Sequence, residues 1–269
     1  MNLRLTVFLL ALTMVASAHA VTVEAPQGSV VRWSGAESCG MDGRTYEAIE
    51  GVCYFPIDFR RAAGVIEIAR WPAGQNIETA NVKIVEVDFG EQDIDFPDES
   101  LVNLTEEGTA RLYSEQAEIK PLFRRRGPVQ FTLPLGTPSE TLPEARGFGV
   151  QRSFNGVPKN PHTGVDYSIG LDNPVLSVAK GEVVLTGDHI FAGKSVYVDH
   201  GGGLISMYFH LNGFSVEKGD QIERGDEVGK IGSTGRSTGP HLHLGLRWRG
   251  ARVDPTPLML DLESLPIVP

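Results

Sequence analysis

Short runs in which apolar and polar residues alternate, separated by glycine, proline and asparagine, constrain the fold of this chain most strongly. Examples in its first half are residues 30–33, 64–69 and 82–87. Successive side chains of a strand point to opposite faces, so runs of this kind predict strands with one buried face. The 31 glycines and 17 prolines favour many turns over a helical bundle. The sequence therefore predicts an all-β protein whose residues 21–126 form a small antiparallel β-sandwich of Ig-like form.

The first twenty residues have the pattern of an export signal. Arg4 precedes an apolar stretch at residues 5–15, and Ala18-His19-Ala20 fits the small-residue cleavage pattern. The apolar stretch is short for a bilayer span, and no basic stop-transfer cluster follows it. We therefore expect a signal peptide at residues 1–20 that is cleaved after Ala20. The mature protein is expected to be periplasmic or secreted, without stable membrane insertion.

The cysteine content agrees with export. Cys39 and Cys53 are the two cysteines of the chain. In an oxidising compartment they are expected to form one disulfide, which for a loop of this size contributes roughly 3 kcal/mol. Their spacing matches no common metal or redox motif.

Charge is distributed unevenly along the chain. The formal net charge is −10, with 12 basic and 21 acidic groups in residues 21–146 and 11 basic and 13 acidic groups in residues 147–269. An acidic chain of this kind is a poor candidate for binding nucleic acid or anionic membranes. Nine acidic residues and no basic residue lie between Glu86 and Glu107. They are expected to form a solvated sheet edge, and the alternative is an acidic lobe that covers a basic groove.

Residues 127–147 are rich in residues that break regular structure, namely Pro128, Pro134, Pro138, Pro143, Gly127, Gly136 and Gly147. This density predicts an interdomain linker. A second β-rich domain is then expected at residues 148–257, followed by a C-terminal tail at residues 258–269.

Histidines are grouped in the second half of the chain. His162 and Asp166 form an H-x-x-x-D pattern, and His241 and His243 form an H-x-H pattern. In a strand at residues 241–248, both histidines would share a face with Gly245 and Arg247, and three leucines and Trp248 would occupy the other. His210 ends a second run, residues 204–211, in which it shares a face with Ser206 and Tyr208.

These histidines together indicate a metal centre. A catalytic zinc requires about three nitrogen or oxygen ligands and an open position for water. His162, Asp166 and one of the two histidines of the H-x-H pattern would supply them. Any one of these histidines alone would be read as an ordinary surface or core residue, whereas the combination is specific.

Four stretches carry a resemblance to a known family. They are PHTGVD (161–166), VDHGGGLISMYFHL (198–211), VEKGDQIERGDEVGKIGSTGRSTGPHLHLGL (216–246) and VDP (253–255). In these motifs the chain resembles the lysostaphin-type, LytM-like zinc metallopeptidases, over roughly residues 148–255. The resemblance implies an antiparallel β-sheet domain of lysostaphin type with zinc held by His162, Asp166 and His243. It also implies that His210 and His241 are catalytic residues that do not bind the metal.

The same resemblance implies a secreted zinc-dependent endopeptidase that hydrolyses peptide cross-links of bacterial peptidoglycan. Its partners would be the peptide stems or cross-bridges of that polymer. The alternative is a non-catalytic, wall-binding activator of other hydrolases, although no position of the core pattern is missing. Whether Gly-Gly bridges or D-amino-acid cross-links are cut stays open, with the latter favoured. The division of roles between His210 and His241 also stays open, with His241 expected to be nearer the metal-bound water.

A glycine-rich loop at residues 232–240 leads directly into His241. It lacks the G-K-[ST] ending of a phosphate-binding loop, so a tight turn that aims the metal-binding strand is expected. Arg236 and Tyr208 are expected to line the groove. His189 and His200, which lie near turns, are expected to be structural.

Overall fold

The structure is a computed structural model that describes residues 21–269. The expected signal peptide therefore lies outside the described residues. Eight strands precede the first α-helix: β1 (Thr22–Pro26), β2 (Val30–Ser34), β3 (Ser38–Met41), β4 (Arg44–Glu47), β5 (Val52–Pro56), β6 (Gly64–Trp71), β7 (Glu78–Val85) and β8 (Glu91–Ile94). Five of them form a sheet in the order β1-β7-β6-β3-β4, and β2 pairs with β5.

The core of this first part is built by the expected alternation. In β7 the side chains of Ala80, Val82 and Ile84 are buried and alternate with more exposed neighbours. The predicted disulfide between Cys39 and Cys53 is confirmed, and it joins β3 of the five-stranded sheet to β5 of the two-stranded sheet. Strand β1 departs from the antiparallel arrangement, because it runs parallel to β7. The Ig-like form of this part stays a prediction.

The acidic stretch leads into helix α1 (Glu106–Ile119), which the strand-rich expectation for this half of the chain did not include. Strand β8 lies at an edge of a three-stranded sheet, so part of the acidic stretch occupies a sheet edge. Thr105 caps α1 by accepting a hydrogen bond from the Gly108 N–H. Short 3₁₀ turns lie on either side of the helix, at Glu99–Leu101 and Leu122–Arg124.

The proline- and glycine-rich segment 127–147 contains no helix or strand of its own. Phe131 and Leu135 are nevertheless buried in the main hydrophobic core. The Leu135 N–H donates to the carbonyl of Leu258, and the Gln130 N–H donates to that of His200. The segment is therefore packed along the second half of the molecule.

Eleven strands and a short helix make up the second part: β9 (Gln151–Phe154), β10 (Val157–Pro158), β11 (Val165–Tyr167), β12 (Pro174–Leu176), β13 (Gly181–His189), β14 (Gly193–Asp199), β15 (Leu204–Phe214), β16 (Gln221–Ile222), β17 (Glu227–Ile231), β18 (Leu242–Trp248), β19 (Ala251–Val253) and α2 (Pro255–Leu260). A last 3₁₀ turn spans Leu262–Ser264. Nine of the strands form one sheet whose central order is β11-β18-β15-β14-β13-β16. Every pairing in it is antiparallel, which confirms the expected β-sheet domain.

Strand β18 buries one face and presents the other to a groove, as its alternation predicted. Leu242, Leu244, Leu246 and Trp248 have no exposed surface. Strand β15 departs from simple alternation because it carries a bulge, with Val196 opposite Tyr208 and Lys194 opposite Leu211. His210 lies in this bulge with a φ of 64°, in the left-handed region. A bulge changes the direction of the side chains near it, so the side chains of His210 and Tyr208 point to different sides of the sheet.

The C-terminal tail returns to the first part of the molecule. The Arg32 N–H donates to the Pro266 carbonyl, and the Val268 N–H donates to the Arg32 carbonyl. Val268 is buried in the core of the first part. Within residues 21–269, none of the helices has the length and apolar character needed to cross a membrane.

Candidate metal centre

Three side chains that the sequence identified as metal ligands meet in the structure. Nε2 of His162 lies 2.7 Å from Nδ1 of His243, and each nitrogen lies 3.0 Å from Oδ1 of Asp166. Both imidazole rings are buried, whereas Asp166 is partly exposed. The three potential ligand atoms thus surround one point near the surface of the sheet.

Strand register explains how two of these side chains meet. Asp166 of β11 and His243 of β18 are directly opposite each other in the antiparallel ladder. His162 lies in the loop that leads into β11. Between His162 and Asp166, a Cβ atom at Gly164 would lie 2.4 Å from the Leu244 carbonyl oxygen and 2.7 Å from Nε2 of His243. The H-x-x-x-D pattern therefore needs glycine at this position.

Two further groups hold the expected ligands in place. Nδ1 of His162 lies 2.7 Å from the Gly147 carbonyl oxygen, so this nitrogen is the ring's N–H donor and Nε2 keeps its lone pair. Arg152 donates a hydrogen bond of 2.7 Å to Oδ2 of Asp166, the oxygen that does not face the histidines. Sequence reasoning missed both groups. The H-x-x-x-D motif contains no signal for Arg152, which lies on β9 fourteen positions before Asp166.

Burial and hydrogen bonding give His243 and Asp166 the protonation states that metal binding needs. It lowers the pKa of His243 to about 4, so this imidazole is neutral near pH 7. Burial alone would raise the pKa of Asp166, but the hydrogen bonds with His162 and His243 lower it below its ordinary value. A neutral imidazole and an ionised carboxylate are the forms that bind metal ions.

The donor set fits zinc. Two imidazole nitrogens and one carboxylate oxygen form a nitrogen-rich set, whereas magnesium and calcium prefer oxygen ligands alone. The three ligand atoms lie 2.7–3.0 Å apart, close enough for one small ion to be shared among them. Three protein ligands leave a fourth position for water or substrate, as in catalytic zinc sites.

Two more histidines lie beside this cluster. The centroids of the His210 and His241 rings are 4.7 Å apart, and Nε2 of His241 lies 3.8 Å from Oδ1 of Asp166. Nδ1 of His210 lies 2.8 Å from the Thr234 carbonyl oxygen, and Nδ1 of His241 lies 2.8 Å from that of Gly239. Both carbonyls belong to the glycine-rich loop, which therefore orients the two rings. Burial, followed by the neighbouring histidines, lowers the pKa of His210 to about 3.

A groove of about 560 Å³ runs past the cluster. His162, His210 and His243 line it, together with Arg236 of the glycine-rich loop and residues of helix α1. Tyr208 does not reach the groove. It is fully buried, and its hydroxyl accepts a hydrogen bond from the Val178 N–H, so the expectation that it lines the groove was wrong.

His189 and His200, which were expected to be structural, form hydrogen bonds with groups outside the cluster. His200 is fully buried, with Nδ1 2.8 Å from the Lys180 carbonyl and Nε2 2.7 Å from Oγ of Ser206. His189 lies at a distant part of the groove wall, with Nδ1 2.6 Å from Oγ of Ser195.

Fold and site together define a β-sheet protein with a His-Asp-His cluster that could hold one metal ion. The sequence model of peptidase family M23 matches residues 160–255. This range includes the three expected ligands and the two histidines beside them. A crystal structure from Pseudomonas aeruginosa assigned to peptidase M23 is 30% identical and superposes with a TM-score of 0.68, covering 87% of this chain and 95% of that one. The chain belongs to peptidase family M23, which confirms the resemblance seen in its motifs.

Curated relatives match the same region. Peptidoglycan DD-endopeptidase ShyA of Vibrio cholerae is 42% identical over 104 residues, which are 39% of this chain and 24% of that protein. DD-carboxypeptidase/endopeptidase Mpg of Neisseria meningitidis is 38% identical over 104 residues, with the same shares. The chain spans about a quarter of the length of these curated relatives.

Proposed function

We propose that this protein is a zinc-dependent endopeptidase that hydrolyses peptide cross-links of bacterial peptidoglycan outside the cytoplasm. The observation that carries the proposal is the cluster of His162, Asp166 and His243 beside an open groove. The names of the curated relatives, DD-endopeptidase and DD-carboxypeptidase/endopeptidase, support the choice of reaction and polymer.

The ligand cluster supplies the site for the metal. When bound there, zinc would polarise the scissile carbonyl and lower the pKa of a coordinated water to about 7. His162 and Asp166 are fixed by Gly147 and Arg152, so the ligands need little rearrangement. Preorganised ligands of this kind support both metal affinity and reaction geometry.

His241 is the better placed of the two remaining histidines to move a proton. Its Nε2 lies 3.8 Å from a ligand oxygen of Asp166, and its Nδ1 is engaged by the Gly239 carbonyl. Nε2 is therefore the free basic nitrogen. It would take the proton from the attacking water and then give it to the leaving amine.

His210 would position the substrate. Its ring is held by the Thr234 carbonyl in a strained backbone conformation, which is a common feature of functional sites. Its second ring nitrogen is left to contact the scissile peptide where negative charge develops, and stabilisation of that charge lowers the barrier to hydrolysis.

Export from the cytoplasm fits the chemistry of the chain. The Cys39–Cys53 disulfide requires an oxidising compartment, and the peptidoglycan polymer lies outside the cytoplasm. The pattern of residues 1–20 predicts the export signal that such a location needs. A wall-binding activator without catalysis would not need the complete ligand set and both further histidines.

Two classes of variant test this proposal. His162→Ala and His243→Ala should lose most of the bound zinc and all hydrolysis. His210→Ala and His241→Ala should retain zinc and lose about 10²–10⁴-fold in turnover, the usual contribution of an acid–base group. Zinc content by elemental analysis and release of peptide fragments from purified peptidoglycan measure the two effects. Full activity of the His241→Ala protein would rule out its catalytic role.

A further inference from the structure

The groove contains an arginine that the mechanism above does not use. The Arg236 guanidinium lies between two aromatic rings, 4.1 Å from the centroid of Phe191 and 4.4 Å from that of Phe154. Within residues 21–269, the Arg236 guanidinium takes part in no side-chain hydrogen bond or ion pair, whereas the neighbouring Arg152 pairs with Asp166. Arg236 is partly exposed in the groove, so its five N–H donors are available to a bound acceptor.

The position of Arg236 relative to the metal ligands is fixed by its backbone. Its N–H donates a hydrogen bond of 2.9 Å to the Phe191 carbonyl. The preceding residue, Gly235, has a φ of 68°, and a Cβ atom there would lie 2.3 Å from the backbone nitrogen of Gly193. The same loop holds His210 through the Thr234 carbonyl, two residues before Arg236. Arg236 lines the same groove as His162 and His243, so substrate bound at the centre would lie in the groove with Arg236.

The electrostatic surroundings leave this guanidinium without a counter-ion. Burial, followed by the charge of Arg152, lowers the pKa of Arg236 to about 10, so it stays protonated at neutral pH. Arg152 is already engaged by Asp166. Arg247, which also lines the groove, stacks on Phe123 at 4.3 Å and donates to the Gly250 carbonyl. The wall of the groove is thus positive in a chain whose formal net charge is −10.

We infer that Arg236 binds a carboxylate of the substrate and thereby selects cross-links that carry one beside the scissile amide. The rings of Phe154 and Phe191 hold the guanidinium in the groove wall. The edge of a planar guanidinium matches a carboxylate with two parallel hydrogen bonds. The inference rests on the proposed function and names its substrate class.

The chemistry of cross-links makes this selection meaningful. A Gly-Gly bridge is neutral on both sides of the scissile bond. When the scissile nitrogen instead belongs to a diamino dicarboxylic acid, the carbon next to that nitrogen carries a free carboxylate. Arg236 would therefore favour D-amino-acid cross-links whose scissile nitrogen belongs to a diamino dicarboxylic acid, because a neutral Gly-Gly bridge offers the guanidinium no carboxylate.

Two synthetic cross-linked peptides test the inference. They are identical except that the residue supplying the scissile nitrogen carries a carboxylate in one and a carboxamide in the other. The wild-type protein should have a KM about 10- to 100-fold lower for the carboxylate form, the range expected for a charged hydrogen-bonded pair. Without loss of zinc, Arg236→Gln should remove this preference. Arg236→Lys should restore part of it.

The matched control is Arg44→Gln, which removes the same charge from an exposed site that does not line the groove. A preference for the carboxylate that is equal in the wild-type and Arg236→Gln proteins would overturn the inference and leave the proposed function intact. Failure of the wild-type protein to hydrolyse either peptide would instead contradict the proposed function.

Calorimetry can test the role of Arg236 in the absence of turnover. It measures the affinity of each peptide for the His241→Ala protein, with and without the additional Arg236→Gln substitution. Tighter binding of the carboxylate form that depends on Arg236 supports the inference. Equal binding of the two peptides, or no binding of either, overturns it.

Discussion

The Gly147 carbonyl oxygen lies 2.7 Å from Nδ1 of His162. The last residue of the proline- and glycine-rich segment thus orients the first metal ligand of the sheet domain. Gly147 has a φ of 80°, and a Cβ atom there would lie 3.1 Å from Nδ1 of His162. Glycine at this position lets the backbone approach the ring, so the segment contributes to the metal centre as well as joining two parts of the chain.

Arg152 offers a test of how far groups around the ligands support metal binding. Its hydrogen bond to Oδ2 of Asp166 fixes the carboxylate whose Oδ1 faces the histidines. Arg152→Gln should lower zinc affinity about 10–100-fold, the usual effect of removing a partner of a metal ligand. Competition with a chelator of known affinity measures the change. Arg146→Gln removes an exposed arginine nearby and should leave the affinity unchanged.

Gly164 should not tolerate a side chain. A Cβ atom would lie 2.4 Å from the Leu244 carbonyl oxygen and 2.7 Å from Nε2 of His243. Gly164→Ala should therefore displace His243, weaken zinc binding and lower the free energy of unfolding by about 1–3 kcal/mol. Urea unfolding and zinc titration measure the two effects. Gly213→Ala, at a strand position with open space around the added atom, is the control, and equal behaviour of the two variants would contradict the packing argument.

Much of the metal centre could be predicted from sequence because strand alternation is local. The face of β18 followed from the positions of its leucines. The H-x-x-x-D and H-x-H patterns brought His162, Asp166 and one of two histidines into one expected site, and the family resemblance selected His243. Tyr208 was misplaced because the bulge at His210 interrupts the alternation, and a bulge depends on pairing with β14. Arg152 was missed because its contact with Asp166 depends on how β9 lies beside β11.

Helix α1 was missed for a different reason. Its large apolar residues are only Leu112, Tyr113 and Ile119, and five of its fourteen residues are charged. Thr105 as the capping residue, followed by Glu106 and Glu107 in the first turn, was the local signal that could have revealed it. Packing against the strands of the second part then completes the helix, and that contact is not visible in a single sequence.

His200 should make stability depend on pH. Burial lowers its pKa in the folded state to about 4 from the usual 6.5. Between these two values the unfolded chain binds a proton that the folded protein does not, so the free energy of unfolding falls as the pH falls from 6.5 to 4. The loss from this group is about 3 kcal/mol. Urea unfolding across this range should show a smaller loss for His200→Gln, and an unchanged pH profile would contradict the assignment.

Helix α1 should restrict access of the polymeric substrate to the groove. Its residues Leu112, Gln116 and Ile119 line the groove. Two hydrogen bonds tie it to the β13–β14 turn, from Arg111 to the Asp188 carbonyl and from the Ile190 N–H to Glu115. The double variant Arg111→Ala/Glu115→Ala keeps the net charge and loosens the helix, so it should digest intact peptidoglycan several-fold faster. Release of soluble fragments over time measures this rate.

A small cross-linked peptide distinguishes restricted access from a change in chemistry. Its hydrolysis should be the same in the wild-type protein and the double variant, because it is small enough to pass the helix. Glu118→Ala, on the exposed side of α1, should leave both rates unchanged. Slower digestion of peptidoglycan by the double variant would show that the helix supports the groove and does not obstruct it.

The His162–Asp166–His243 centre should cut peptide cross-links in peptidoglycan. Mass spectrometry of purified peptidoglycan digested by the mature protein tests this most directly, with samples that are zinc-loaded, chelated and reloaded. Cross-linked peptide dimers should become monomers with the gain of one water per cut, chelation should stop this, and zinc should restore it. Persistence of the dimers with fully zinc-loaded protein, or cleavage of glycan strands in their place, would contradict this expectation.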